Sequence, residues 1–223
     1  EGGVYACVEQ TTDAQALQEQ AAALPELIRP VVIHTSLATL PDWLQHQTPD
    51  LRFDRMIGRN ALMAQFDKAR LLQELKPWLR QAGAIVLAET VPYHTQRLYR
   101  LLESEWVSSR LYKRWVKAEE ALYHNSADPM VNWQVKDLLA ISEAVGLKAT
   151  VQVEQTQTKL QITAQVLDRW FNGGQTRPSY RDHLAQSLTE AEIATLRDTF
   201  TRHLLSQTVI WEGTIAFYTL SPT

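Results

Sequence analysis

Between Arg52 and Thr90 the chain reads RFDRMIGRNALMAQFDKARLLQELKPWLRQAGAIVLAET, and few arrangements other than strand, helix, strand satisfy that pattern. Phe53–Ile57 is a short apolar run closed by Gly58. Leu71, Leu72, Leu75, Trp78 and Leu79 recur at helical spacing, so one stripe of that segment is apolar. Gly83 is expected to supply a turn, and Ala84–Ala88 is a near-continuous apolar run ending at Glu89. A run of that kind fits a strand buried on both faces, as in a parallel sheet covered by helices. Strand, crossover helix and strand form a right-handed βαβ unit. Ligands of open α/β sheets sit beyond the carboxyl ends of the strands, here at Gly58-Arg59-Asn60 and Glu89-Thr90.

The same alternation precedes this stretch. Val4–Val8 reads as a strand followed by Glu9. Thr11 and Thr12 are N-cap candidates for a helix carrying Ala14, Leu17, Ala21 and Leu24, and Pro25 stops it. Val31–Ile33 is a further apolar run, ending at His34-Thr35-Ser36. Strands alternating with helices predict an α/β fold with a mostly parallel sheet and helices on both faces. After Glu89 the character changes. A helical segment is expected over 92–125, with Leu111, Trp115, Ala118 and Leu122 on one face of its second half. His124–Pro129 is a loop. Asn132 is the expected N-cap of a helix over Trp133–Val145, which Gly146 ends. Ala149–Val153 alternates as a strand does, and Lys159–Thr163 is its hairpin partner or the lead into a helix. A helical insertion over 166–206 follows, in which Thr189 and Glu192 form a capping box. Val209–Leu220 is the last strand, with Gly213 a candidate bulge.

With 223 residues, the chain is expected to form a single domain. A net charge of −3 gives no overall basic excess of the kind nucleic-acid binding uses. No run of about 18 apolar residues is present, so no membrane span is expected. The lone Cys7 reads as a small buried hydrophobe in a reducing, cytoplasmic setting. The chain starts Glu-Gly-Gly-Val and enters a strand almost at once, which suggests a fragment of a longer protein.

Laid end to end, these segments resemble the class I S-adenosylmethionine-dependent methyltransferase fold, in which one late strand runs antiparallel. The match starts at that fold's second strand. Val4–Val8 with Glu9 resembles the second strand and its ribose-binding carboxylate. Val31–Ile33 is similar to the third strand, although His34-Thr35-Ser36 stands where an acidic residue is often found. Phe53–Ile57 resembles the fourth strand, and Leu75–Glu89 the approach to the fifth. The family's first strand and its glycine-rich loop have no counterpart here; Gly2-Gly3 comes too early and Gly173-Gly174 too late. The resemblance therefore implies that these residues alone bind no cofactor in the usual way, and that S-adenosylmethionine becomes a ligand only with an upstream strand and loop. A gap or exposed edge is expected where the first strand would lie, closed by a second subunit or symmetry mate in a homo-oligomer.

More narrowly, GGVYACVEQ, RFDRMIGRNALM, AETVPYHTQRLYRLLE and VIWEGTIAFYTL resemble the extra C-terminal domain of a replication-associated recombination ATPase of the AAA+ type. That resemblance implies an upstream ATPase domain as partner, with ATP bound there and DNA reached through the parent protein. No G-x-x-x-x-G-K-[ST] run occurs in these residues.

Four residues are candidate cofactor contacts: Glu9, Arg59, Asn60 and Glu89. The alternatives are a solvated carboxylate for Glu9, a helix N-cap for Asn60 beside an exposed Arg59, and a cap on the segment after Pro92 for Glu89. Arg110, Lys113, Arg114 and Lys117 form a basic stripe suited to phosphates or a partner, with Trp106, Tyr112 and Trp115 interleaved for stacking. A solvated helix face gives the same pattern. The six histidines show no metal-ligand spacing, so no metal is expected. No G-x-S-x-G elbow occurs, and no catalytic residue is assigned.

Overall fold

The computed structural model describes residues 3–63, 65–125, 128–174 and 178–223. Gly2, and Ser126 and Ala127 of the expected loop, lie outside them. The elements run β1 (Tyr5–Val8), α1 (Thr11–Ala22), β2 (Val31–His34), α2 (Leu40–Gln47), β3 (Phe53–Arg59), α3 (Lys68–Leu75), β4 (Leu79–Thr90) and α4 (Ser109–Leu122). They continue as α5 (Val135–Ala144), β5 (Leu147–Gln161), α6 (Ala164–Phe171), α7 (Tyr180–Leu184), α8 (Glu190–Leu204) and β6 (Thr208–Pro222). The fold is α/β with a mixed sheet: β1 and β2 are parallel, β3 and β4 are parallel, and β6 runs antiparallel to both β4 and β5.

The strands fall into two groups. A two-stranded sheet has the order β1-β2, and a four-stranded sheet the order β3-β4-β6-β5. Register fixes the faces of the larger sheet. Ile85, Leu87 and Glu89 of β4 share a face with Tyr218 and Leu220 of β6, and all of these are buried. Leu71, Leu72 and Leu75 of α3 and Leu138 of α5 cover that face. Helices are expected on both faces, yet on the opposite face Ile57 is 83% exposed and Phe217 38% exposed. This face is open over β3, β4 and β6.

A second core lies beyond the end of β4. Thr90 pairs with Ile215, so the paired segments Gln155–Gln161 of β5 and Thr208–Thr214 of β6 project past the end of β4. Trp115 of α4, Leu167 and Phe171 of α6, Leu184 of α7 and Phe200 of α8 pack there. The 92–125 and 166–206 segments are thus two halves of one cluster. Short 3-10 turns (Pro92–His94, Leu98–Leu101, Ser104–Trp106) fill the first part of the former, and α4 is capped by Ser108, whose hydroxyl accepts from Leu111 N.

Several local expectations change. Gly83 lies inside β4 rather than in a turn before it. Between Phe53↔Leu79 and Arg55↔Ala84 the two strands advance unequally, so β4 bulges there. A Cβ on Gly83 would stand 2.7 Å from the Phe53 carbonyl oxygen, so the bulge leaves room for glycine alone. Gly213 makes no bulge: it pairs in register with Thr156. Gln134, with Asp137, caps α5 in place of Asn132, and Gln10 occupies the N-cap of α1 without a side-chain bond. Gly146 does follow α5, at φ +70°. No described helix is long and apolar enough to cross a membrane.

Candidate functional site

Among the described residues β1 pairs with β2 alone and β3 with β4 alone, so each has an unpaired edge. The two edges face each other across a cleft of about 810 Å³. Its floor is the apolar face already described: Leu62, Leu72, Leu75, Ile85 and Leu87. The Tyr5 and Phe53 rings meet edge to face at 5.7 Å where β1 and β3 begin. At the carboxyl ends the walls turn polar, with Glu9 following β1 and Arg59 and Asn60 ending β3.

Three of the four expected cofactor contacts therefore line one cleft. Glu9 and Arg59 are exposed. Asn60 sits at φ +50°, and its Oδ1 accepts from Thr90 N at 2.8 Å. It locks the ends of β3 and β4 together and does not cap a helix; Asp67 caps α3. Asn tolerates this left-handed backbone better than most residues. Glu89 lies behind the cleft wall, fully buried. Its Oε1 accepts from Leu62 N at 3.1 Å. Burial pushes its pKa up, against the opposing pull of the Leu62, Ala61 and Met63 amides and the Lys68 charge. Glu89 thus holds the loop after β3 and caps nothing after Pro92. Its Oε2 is buried and takes no hydrogen bond among the described residues.

Cys7 is exposed, a correction to its expected burial, because β1 borders the open cleft. Partial burial of the thiol, and then the Glu9 charge, raise its pKa, so it is not an activated nucleophile.

The basic stripe divides. Arg110, Lys113 and Lys117 are exposed, while Arg114 pairs with Glu192 at the start of α8 and donates to the Ser187 carbonyl. Trp115 is fully buried, and Trp106 stacks on His203 at 4.0 Å between centroids. Arg114 and Trp115 therefore serve the second core.

Sequence reading missed the buried network around Glu119. This carboxylate accepts from the amides of Leu98 (2.5 Å) and Tyr99 (3.2 Å) and from Tyr180 Oη (2.7 Å). Trp115 Nε1 donates to the same Tyr180 oxygen at 2.6 Å. Burial raises the Glu119 pKa to about 7. The signal was available: Glu119 lies four residues after Trp115, on the apolar face of α4. Nearby, Arg97 donates to Glu120 at 3.1 Å and stacks 3.5 Å above the Tyr123 ring. It lines a second, polar cavity of about 680 Å³ with His94, Arg100 and Glu212. No group of three or more described His, Cys, Asp or Glu side chains is placed to hold a metal.

No family model matches the sequence, and no curated protein matches it. Solved structures do. A candidate methyltransferase of Bacillus halodurans superposes with a TM-score of 0.51 at 10% identity, covering 100% of this chain and 84% of that one. The YcgJ protein of Bacillus subtilis superposes with a TM-score of 0.51 at 13% identity, covering 99% and 83%. At such identities the likeness concerns the fold: this chain is structurally similar to class I S-adenosylmethionine-dependent methyltransferases.

Proposed function

We propose that this chain is a methyltransferase-type module that does not transfer methyl groups by itself and acts as the accessory, binding part of a larger protein. The observation that carries the reading is the pair of unpaired edges facing each other between β1 and β3. In this arrangement Glu9 and Arg59–Asn60 stand on opposite walls, and among the described residues no backbone lies between them to seat the sulfonium end of S-adenosylmethionine. Glu9 retains the position from which a strand-end carboxylate accepts from a ribose. The other half of such a site is open. The four segments that resemble the C-terminal domain of an AAA+ recombination ATPase make that class of enzyme the proposed parent, with ATP and DNA handled there.

Calorimetric titration of S-adenosylmethionine into this chain is the test. The expected result is no saturable heat up to millimolar cofactor. Saturable binding that Glu9→Ala abolishes would overturn the proposal in favour of a working methyltransferase.

A further inference from the structure

The polar cavity of about 680 Å³ lies where β5 and β6 run on past the end of β4. Register places Gln157 opposite Glu212 and Gln155 opposite Thr214, so these four side chains stand on one face. The segment after β4 continues along β6: Val91 N donates to Thr214 O and Gln96 N to Glu212 O, both at 2.9 Å. Arg97 and the Leu98–Leu101 turn follow, and buried Glu119 holds the amides of Leu98 and Tyr99. Both walls are therefore fixed before any ligand arrives, which lowers the cost of ordering a site. The charges on those walls divide into engaged and free. Arg97 is buried and spends its donors on Glu120, Thr95 O and Tyr93 O, while Glu120 also accepts from Tyr99 Oη at 2.7 Å. Arg100 is exposed and forms no ion pair among the described residues. Glu212 is exposed on the facing wall, where its Oε1 accepts from Gln157 Nε2 at 3.3 Å.

This lining narrows the ligand. Among the described residues no Leu, Ile, Val, Met, Phe or Trp borders the cavity. Its single carbocyclic ring, Tyr93, is already packed edge to face with His94 and His124, at 5.5 and 5.6 Å. A lipid finds no apolar wall here, and a nucleobase lacks the stacking platforms such ligands use. What the cavity offers is one free guanidinium on one wall and, on the other, a carboxylate beside two side-chain amides. We propose that it binds a phosphorylated sugar. Arg100 takes the phosphate, whose oxygens match the fork of a guanidinium, and His94 on the same wall adds a donor. Glu212, Gln155 and Gln157 take the sugar hydroxyls, a carboxylate being the strongest acceptor available to them. The cavity shares no lining residue with the cleft between β1 and β3, so the inference goes beyond the accessory-module reading and does not rest on it.

The test is calorimetric titration of the intact chain with ribose 5-phosphate and glucose 6-phosphate, beside ribose, glucose and inorganic phosphate alone. The expected result is saturable heat with at least one sugar phosphate, and at least tenfold weaker binding of its free sugar and of inorganic phosphate. Arg100→Gln should bring the sugar phosphate down to the level of the free sugar. Glu212→Ala should bring it down to the level of inorganic phosphate. Both side chains are exposed, so both variants should fold as the wild type does. Lys148→Gln removes one charge at the far end of β5, opposite Ser221, and should change nothing. Three outcomes would each overturn the site: no saturable heat with either sugar phosphate up to millimolar concentration, inorganic phosphate binding as tightly as the sugar phosphates, or wild-type affinity in both the Arg100 and the Glu212 variant. None of these bears on the S-adenosylmethionine titration, so the two readings fail separately.

Discussion

Glu119 shows how one residue governs a packing unit. Its carboxylate holds the 98–99 backbone, and through Tyr180 it reaches α7 and Trp115. The pKa of about 7 lies above the ordinary 4.5, so the folded chain keeps a proton that the unfolded chain has lost. This contribution to stability is therefore full below pH 4.5 and declines as the pH rises through 7, by an amount on the order of 3 kcal/mol. Urea titrations of the wild type between pH 4.5 and 7.5 should show that decline, and Glu119→Gln should flatten it. Glu119→Ala leaves two amides and a phenol without their acceptor and should cost about 2–4 kcal/mol near pH 4.5, a cost that shrinks toward pH 7.5 as the wild type loses its own contribution. A wild-type profile parallel to that of Glu119→Gln would show that the buried carboxyl titrates normally.

Among the elements, β4 is the most constrained. It is bonded on both edges, parallel to β3 and antiparallel to β6, and it carries both Glu89 and the Gly83 bulge. The bulge lets Phe53 pair with Leu79 while Arg55 pairs with Ala84. Gly83→Ala drives a Cβ against the Phe53 and Arg80 carbonyls, at 2.7 and 2.9 Å, and backbone cannot yield as a flexible side chain does. The variant should lose about 2 kcal/mol in urea unfolding, with faster amide exchange at 53–55. Unchanged exchange there would mean that the bulge tolerates a side chain. The antiparallel β5–β6 pair is the second key feature. Each of its strands has 15 residues, long enough to belong to the sheet at one end and to the second core at the other.

On the scale of the molecule, the two cores are joined through the β5–β6 pair, and the second is closed by contacts such as Arg114 to Glu192, which ties α4 to the start of α8. Arg114→Ala should lower the melting temperature by about 2 °C, the expected size for a partly exposed ion pair in a chain of this length. Lys113→Gln and Lys117→Gln should leave it unchanged, because both side chains are exposed. Equal effects from all three would argue that Arg114 is as free as its neighbours. Of the basic stripe, Arg110, Lys113 and Lys117 remain to meet a phosphate backbone. The salt dependence of any DNA binding through this face is then limited to a log–log slope of about −3.

Sequence periodicity determined what depends on near neighbours along the chain. The βαβ unit of 53–90, the strands at 5–8 and 31–34, the glycine after α5 and the Thr189 cap all follow from spacing and side-chain type. The grouping of Glu9, Arg59 and Asn60 at one edge was also legible, because strand ends in an α/β sheet converge whatever the loops contain. The tertiary structure alone decided which edges go unpaired, which face of the larger sheet stays open and which charges are engaged. Arg114 and Lys113 are adjacent in sequence, yet only Arg114 meets an acidic partner, 78 residues away. Gly83 reads as a turn until the Phe53 carbonyl is placed against it. Such outcomes depend on contacts between distant segments, and the local pattern of a sequence carries no record of which segment arrives.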